Sequence, residues 1–160
     1  MKKIKVIIVL LMTCLLLSCD LSKPEYLHLD SKKNNYYYTN ELYSKLNNNN
    51  FSIKVFDTNL YKNIEVNESE NKIVENFIHS LTHENFQEDG LPQDIEPYQL
   101  RISFEDGSKY IINVYSYDII SLYPWDGNYK EDIINMTNIP QKYNLYDFCK
   151  HIDKESKNAK

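Results

Sequence analysis

Glycine occurs three times in 160 residues, and cysteine three times. So few glycines leave little material for loops whose backbone N–H groups cradle a phosphate. No P-loop, G-x-G-x-x-G or G-x-S-x-G motif is present. The calcium-loop order is also missing, since "DGNYKED" places its acids wrongly. Cysteines at 14, 19 and 149 are too few and too scattered for a disulfide framework, so stability must come from a core. Beyond the first five residues no basic stretch stands out, and the formal net charge is −5. Clustered positive charge is the footprint of nucleic-acid binders, and no nucleic-acid partner is expected. The one long apolar run, Val6 to Leu17, is too short to span a bilayer as a stable helix.

That run sits in "MKKIKVIIVLLMTCLLLSC", where Lys2, Lys3 and Lys5 form a basic n-region ahead of an apolar h-region. It ends in Leu16-Leu17-Ser18-Cys19, which resembles the lipobox of bacterial lipoproteins. The resemblance implies a signal peptide over 1–18 and acylation of Cys19. It also implies anchoring by lipid chains, palmitate among them, to the outer face of the cytoplasmic membrane. The competing Leu11-Met12-Thr13-Cys14 would strand Leu15 to Leu17 as an apolar scrap. Cleavage removes three lysines and no acids, taking the net charge from −5 to −5 − 3 = −8. An acidic domain is repelled by anionic headgroups and should stand off the membrane on a tether.

Residues 19–50 read as the lipidated cysteine and that flexible tether, with Pro24, a charged stretch and four asparagines at 47–50. Within it Thr39 could cap a short helix over 39–46. From Phe51 the pattern sharpens. Phe51, Ile53 and Val55 alternate with polar residues, as do Ile64 and Val66. Asn67 and Glu70 have capping-box spacing ahead of a helical face of Ile73, Val74, Phe77, Ile78 and Leu81, so a helix is expected from Glu68 to Thr82. An acidic loop over 83–97 follows. Leu100, Ile102 and Phe104 then face Tyr110, Ile112 and Val114 across a three-residue turn, Glu105-Asp106-Gly107. A two-residue turn would put the apolar sets on opposite faces. Ile119–Tyr123 and Asp132–Met136 supply further strands. Asn144 caps a helix carrying Leu145, Phe148, Cys149 and Ile152, and 153–160 is expected to fray. The expected fold of 51–152 is α+β: one antiparallel sheet of about five or six strands with two helices packed on one face.

Two groups of residues could carry chemistry. Glu75, His79 and His83 share a helical stripe, and imidazoles at i, i+4 can chelate a divalent ion, although no HExxH accompanies them. A solvated polar face is the plainer expectation, and no cofactor or metal is assigned. Cys149 lies on an apolar helical face two residues from His151, the wrong spacing for a dyad, and reads as a buried structural thiol. The second group is "SLYPWDGNY", holding the only tryptophan. Pro124 and Asp126-Gly127 turn the chain. Trp125 either folds over the sheet as a lid or joins Tyr123, Asp126 and Tyr129 in an exposed aromatic patch suited to recognition.

The lipobox, together with "DGSKYIINVYSYDIISLYPWDGNY" and "YNLYDFC", resembles a small group of uncharacterised lipoproteins of low-GC anaerobic Firmicutes that share a domain of unknown function. The resemblance spans about Phe51 to Ile152. It implies an exported α+β domain and carries no catalytic residues. The expected role is a non-enzymatic, lipid-anchored surface module contacting an envelope protein or a cell-wall saccharide. The alternatives are a metal-binding or metal-dependent hydrolytic lipoprotein using the Glu/His helix face, and an occluding partner of another envelope protein. Replacing Cys19 by Ser is expected to abolish palmitate labelling and to release the protein from membranes. Undiminished membrane association of that variant would refute the anchor.

Overall fold

Alternating side chains along the strands give the sheet two chemically different faces, and the helices cover the more apolar one. The computed structural model describes residues 32–158, so the leader, Cys19 and the first part of the tether lie outside the described residues. The elements run α1 (Tyr37–Leu46), β1 (Phe51–Asp57), β2 (Lys62–Glu65), α2 (Asn71–Ser80), β3 (Phe86–Gln87), β4 (Tyr98–Phe104), β5 (Lys109–Val114), β6 (Ile119–Pro124), β7 (Asp132–Asn135) and α3 (Leu145–Asn158). The strands form one sheet in the order β2-β1-β4-β5-β6-β7-β3, with every pairing antiparallel. Ile53, Val55, Leu100, Ile102, Ile112, Val114, Ile120, Leu122 and Ile134 point to one face and build the core with Leu42, Phe77, Phe148 and Ile152 of the helices.

The hairpin register follows the apolar pattern. Leu100 pairs with Ile112 and Ile102 with Tyr110, and Gly107 takes the left-handed position at φ +86°. Asn144 caps α3, its Oδ1 accepting the N–H groups of Tyr146 at 3.0 Å and Asp147 at 3.3 Å.

The sheet has seven strands rather than five or six, and the helices among the described residues number three rather than two. The unforeseen strand, β3, is two residues long and pairs with Ile133 and Ile134, so it is a product of tertiary contact with no local periodicity. The third helix, α1, is the short helix read over 39–46 within the tether, and it begins two residues earlier at Tyr37, so Thr39 lies in its first turn rather than at its cap. It buries Tyr38, Thr39, Leu42 and Leu46. The asparagines after it act as a C-terminal cap. The side-chain amides of Asn47, Asn48 and Asn49 donate to the carbonyls of Tyr43, Ser44 and Lys45, which lie in its last turn. The expected helix 68–82 begins as a 3₁₀ turn at Glu68–Glu70 and ends at Ser80. Asn67 makes no side-chain cap. The 153–158 segment does not fray but continues α3, with Asp153 buried and Ser156 bonded by Lys62 of β2 at 2.9 Å.

Helix α1 has no cap of its own, since Tyr36 at its N-cap position makes no side-chain bond. Asp132, fully buried at the start of β7, supplies one from across the fold. Its Oδ2 accepts the Thr39 N–H at 2.7 Å and the Thr39 hydroxyl at 2.8 Å, while Oδ1 faces Lys32 Nζ at 2.5 Å. The carboxylate thus meets an orphan donor of the first turn, the positive end of the helix dipole and an ammonium group together. Burial nevertheless holds its pKa above the ordinary 3.8, with Lys32 and Thr39 opposing that rise.

Asp132→Ala is expected to cost about 2–3 kcal/mol in urea unfolding, because Thr39 N–H and Lys32 lose their acceptor inside the fold. Asp132→Asn should cost less, since an amide oxygen can still accept from Thr39. A carboxyl with a raised folded pKa binds its proton more readily folded than unfolded. Its contribution is therefore fully present below 3.8 and is lost as pH rises through the raised value. The stability of the wild type relative to Asp132→Asn should fall across that window.

Candidate functional site

The face of the sheet turned away from the helices is built by register in cross-strand rows. One row runs Glu65, Lys54, Arg101, Ile111, Tyr123 across β2, β1, β4, β5 and β6. The next runs Asn63, Phe56, Gln99, Asn113, Ser121, Ile133. Ile111, Asn113, Ser121 and Ile133 are buried although no helix lies over them. Topology supplies the reason. The 88–97 segment leaves β3 at one edge of the sheet and must pass β7, β6 and β5 to reach β4. Glu96, near its end, accepts from Gln99 Nε2 at 2.7 Å, and its charge acts on the phenols of Tyr115 and Tyr123. Both phenols are raised above the usual tyrosine value, by burial first. Of the acidic segment expected to be a loop, 83–87 form a 3₁₀ turn and β3, while 88–97 are a loop that runs as a strap over this face.

Arg101 stands where the strap gives way to open surface. Its guanidinium lies 3.9 Å from the centre of the Phe56 ring. Nη1 donates to Asn63 Oδ1 at 3.2 Å, Nη2 to Gln99 Oε1 at 2.9 Å, and Nε to the same oxygen at 3.3 Å. All of these acceptors are neutral amides. Beside Arg101 lies a depression of about 290 Å³, lined among others by Lys54, Asn63, Ser103, Lys109 and Trp125.

Trp125 reaches this depression from a turn that is fixed at both ends. Its N–H donates to the Lys109 carbonyl at 2.9 Å, and the Gly127 N–H closes onto the Pro124 carbonyl at 2.9 Å. A Cβ at Gly127 would come within 3.0 Å of the Pro124 oxygen and the Tyr38 hydroxyl, so glycine is the residue that fits. The Tyr38 hydroxyl accepts the Tyr129 N–H at 2.7 Å, which docks the turn on α1. Held in this way, the Trp125 side chain projects outward and is 69% exposed.

The aromatic patch anticipated from "SLYPWDGNY" does not form as a unit. Trp125 and Asp126 are exposed. Tyr123 lies half-buried on the strapped face, and Tyr129 packs edge-on against Tyr37 at 5.7 Å. Pairing instead brings Trp125 alongside Arg101 and Lys109, residues that no local pattern connects. The signal was long-range: once Ile111 is placed opposite both Arg101 and Tyr123, Trp125 must emerge on the same face.

Glu75, His79 and His83 are not gathered either. Helix α2 ends at Ser80 and Leu81 is extended, so His83 leaves the i, i+4 ladder. His79 packs tilted against Tyr43 at 4.8 Å and His83 against Tyr36 at 4.7 Å. Among the described residues the group with ligand-like convergence is Glu70, His151 and Glu155. His151 Nε2 lies 3.4 Å from Glu70 Oε1 and 3.6 Å from Glu155 Oε1, an ion-pair geometry when the imidazole is protonated. Cys149 is fully buried, and burial pushes its thiol far above the usual value, which suits an inert core residue. A larger open groove of about 950 Å³ runs along Asn47–Asn50, with Glu68, Glu75 and Glu105 on its walls.

The architecture is thus an α+β domain, one helix-backed antiparallel sheet whose second face is strapped and opens at an aromatic turn. The chain belongs to the family described as "Domain of unknown function (DUF4883)", which matches residues 32–149. It is also similar to a solved crystal structure described as "Putative Lipoprotein from Clostridium perfringens". The two share 27% identity with a TM-score of 0.71, over 78% of this chain and 99% of that one. No curated protein matches the chain.

Because Trp125 is the only tryptophan, emission excited selectively in indole reports on this turn alone. The native protein is expected to emit near the wavelength of free indole and to be quenched readily by acrylamide. Unfolding should shift the emission little. A blue-shifted, quencher-resistant native spectrum would show the ring to be covered.

Proposed function

We propose that the protein is a non-enzymatic, exported and lipid-anchored module that binds a ligand of the cell envelope through the Trp125 turn. The observation that carries this reading is the exposed indole at the rim of a concave depression, held by a rigid turn. An exposed indole beside a concavity offers a large, rigid contact surface, and such rings are enriched at binding hot spots. The lipobox-like Leu16–Cys19 and the similarity to a protein described as a lipoprotein support the envelope location. Near Arg101 the side chains offer hydrogen bonding and charge, and no nucleophile is paired with a base there.

A second reading, contact with another envelope protein, is favoured by one observation at the opposite end of the sheet. Leu60, Tyr61 and Ile95 are exposed there. Thr58 joins their two loops, its N–H donating to the Pro97 carbonyl at 3.1 Å. This surface suits occlusion of a partner, whereas the Trp125 depression suits a small ligand.

Trp125→Ala is expected to abolish capture on a glycan array or envelope pull-down. Its melting temperature should stay within about 2 °C of wild type, because the ring contributes little to the core. Unchanged capture by that variant would refute the Trp125 reading. Loss of capture on altering Leu60 and Tyr61 instead would transfer the function to the other end.

A further inference from the structure

We infer that the depression between Trp125 and Arg101 binds an anionic sugar, with a pyranose ring against the indole and its carboxylate or phosphate directed to Arg101 and Lys109. This rests on the binding reading above and specifies its ligand. Three cationic side chains, Lys54, Arg101 and Lys109, gather at one concavity of a chain whose formal net charge is −5. Lys54 is engaged by Glu65 at 2.7 Å. Among the described residues no carboxylate pairs with Arg101 or Lys109, although acids outnumber bases by 23 to 18. An acidic surface that leaves its only arginine without an acid has kept a cation available.

Arg101 is also set in place beforehand. The Phe56 ring supports its plane, and Gln99 and Asn63 hold three of the guanidinium's five N–H groups while leaving its charge uncompensated. The remaining N–H groups can receive an oxyanion at little conformational cost, which is where arginine exceeds lysine. Lys109 belongs to the same construction, because its own carbonyl fixes the Trp125 N–H. Indole and ammonium therefore come to the ligand from backbone-bonded residues.

Size and charge narrow the ligand class. A volume of about 290 Å³ suits one ring-sized group rather than a long segment. Beyond the depression the net negative surface repels extended polyanions, which disfavours nucleic acid. Ser103 and Asn63 line the same hollow and offer hydroxyl and amide groups to ring hydroxyls. An indole face, polar side groups and a prepared guanidinium together match a sugar that carries one acidic group.

The test is a titration of the mature protein followed by Trp125 fluorescence, with glucuronate, glucose 6-phosphate and glucose as probes. At least one anionic probe is expected to give a saturable change, with glucose weaker by about tenfold or more, and the affinity should fall as salt is raised. Preference for glucuronate assigns the carboxylate, and preference for the phosphate assigns the phosphoryl group. Arg101→Gln should weaken the anionic probe by about tenfold and leave glucose unchanged. Because Arg101 is half-buried, Lys109→Gln provides a second variant at an exposed side chain, and it should act in the same direction. If glucose equals the anionic probes and both variants bind like wild type, the anionic assignment is overturned while the binding reading stands. If no probe alters the emission, the sugar assignment is overturned as well. The envelope pull-down with Trp125→Ala then judges the binding reading by itself.

Discussion

A buried aspartate of the seventh strand accepts the Thr39 N–H, and through that bond the first helix is tied to the sheet. Asp132 begins β7 and caps α1, so the first helix is completed only when the seventh strand is in place. The same helix carries Tyr38, whose hydroxyl receives the Tyr129 N–H and borders Gly127. A cap thereby becomes a positional constraint on the Trp125 turn, passed through one helical residue. Burying a carboxylate is unfavourable by itself, and Lys32, Thr39 and the helix end offset part of that cost. The arrangement couples the N-terminal helix, the sheet and the candidate site in one network.

Elements whose instructions are local could be read directly from the sequence. The Leu100/Ile112 register, the left-handed Gly107 and the Asn144 cap each follow from a few adjacent side chains. Cys149 was legible as a core residue for the same reason, since its neighbours at helical spacing are apolar. Helix α1 was legible only as a short segment over 39–46, because three of its ten residues are tyrosines and its stabilising cap lies more than ninety residues away. Strand β3 has no signature at all, because two residues cannot display a period. Thr82 and Asn85 instead organise the turn before it, with Asn85 reaching the Asn135 carbonyl of β7 at 3.0 Å.

The candidate site follows the same rule. Pro124 and Gly127 as turn residues are evident in the chain, but the company Trp125 keeps is not. Arg101 and Lys109 come near it only through pairings of β4 with β5 and β5 with β6. The residues grouped by sequence proximity, Tyr123 and Tyr129, diverge because Tyr123 belongs to β6, whereas Tyr129 lies past the turn and packs on Tyr37 of α1. The histidines fail to gather for a related reason: their spacing assumes a helix that stops at Ser80.

The strand order has a further consequence for contacts between copies of the chain. The seven-residue strands β1 and β4 lie inside the sheet, whereas its borders are β2 with four residues and β3 with two. Long exposed borders invite foreign strands to add themselves, and short ones give an incoming strand little to grip. The fold thus guards itself against intermolecular sheet growth.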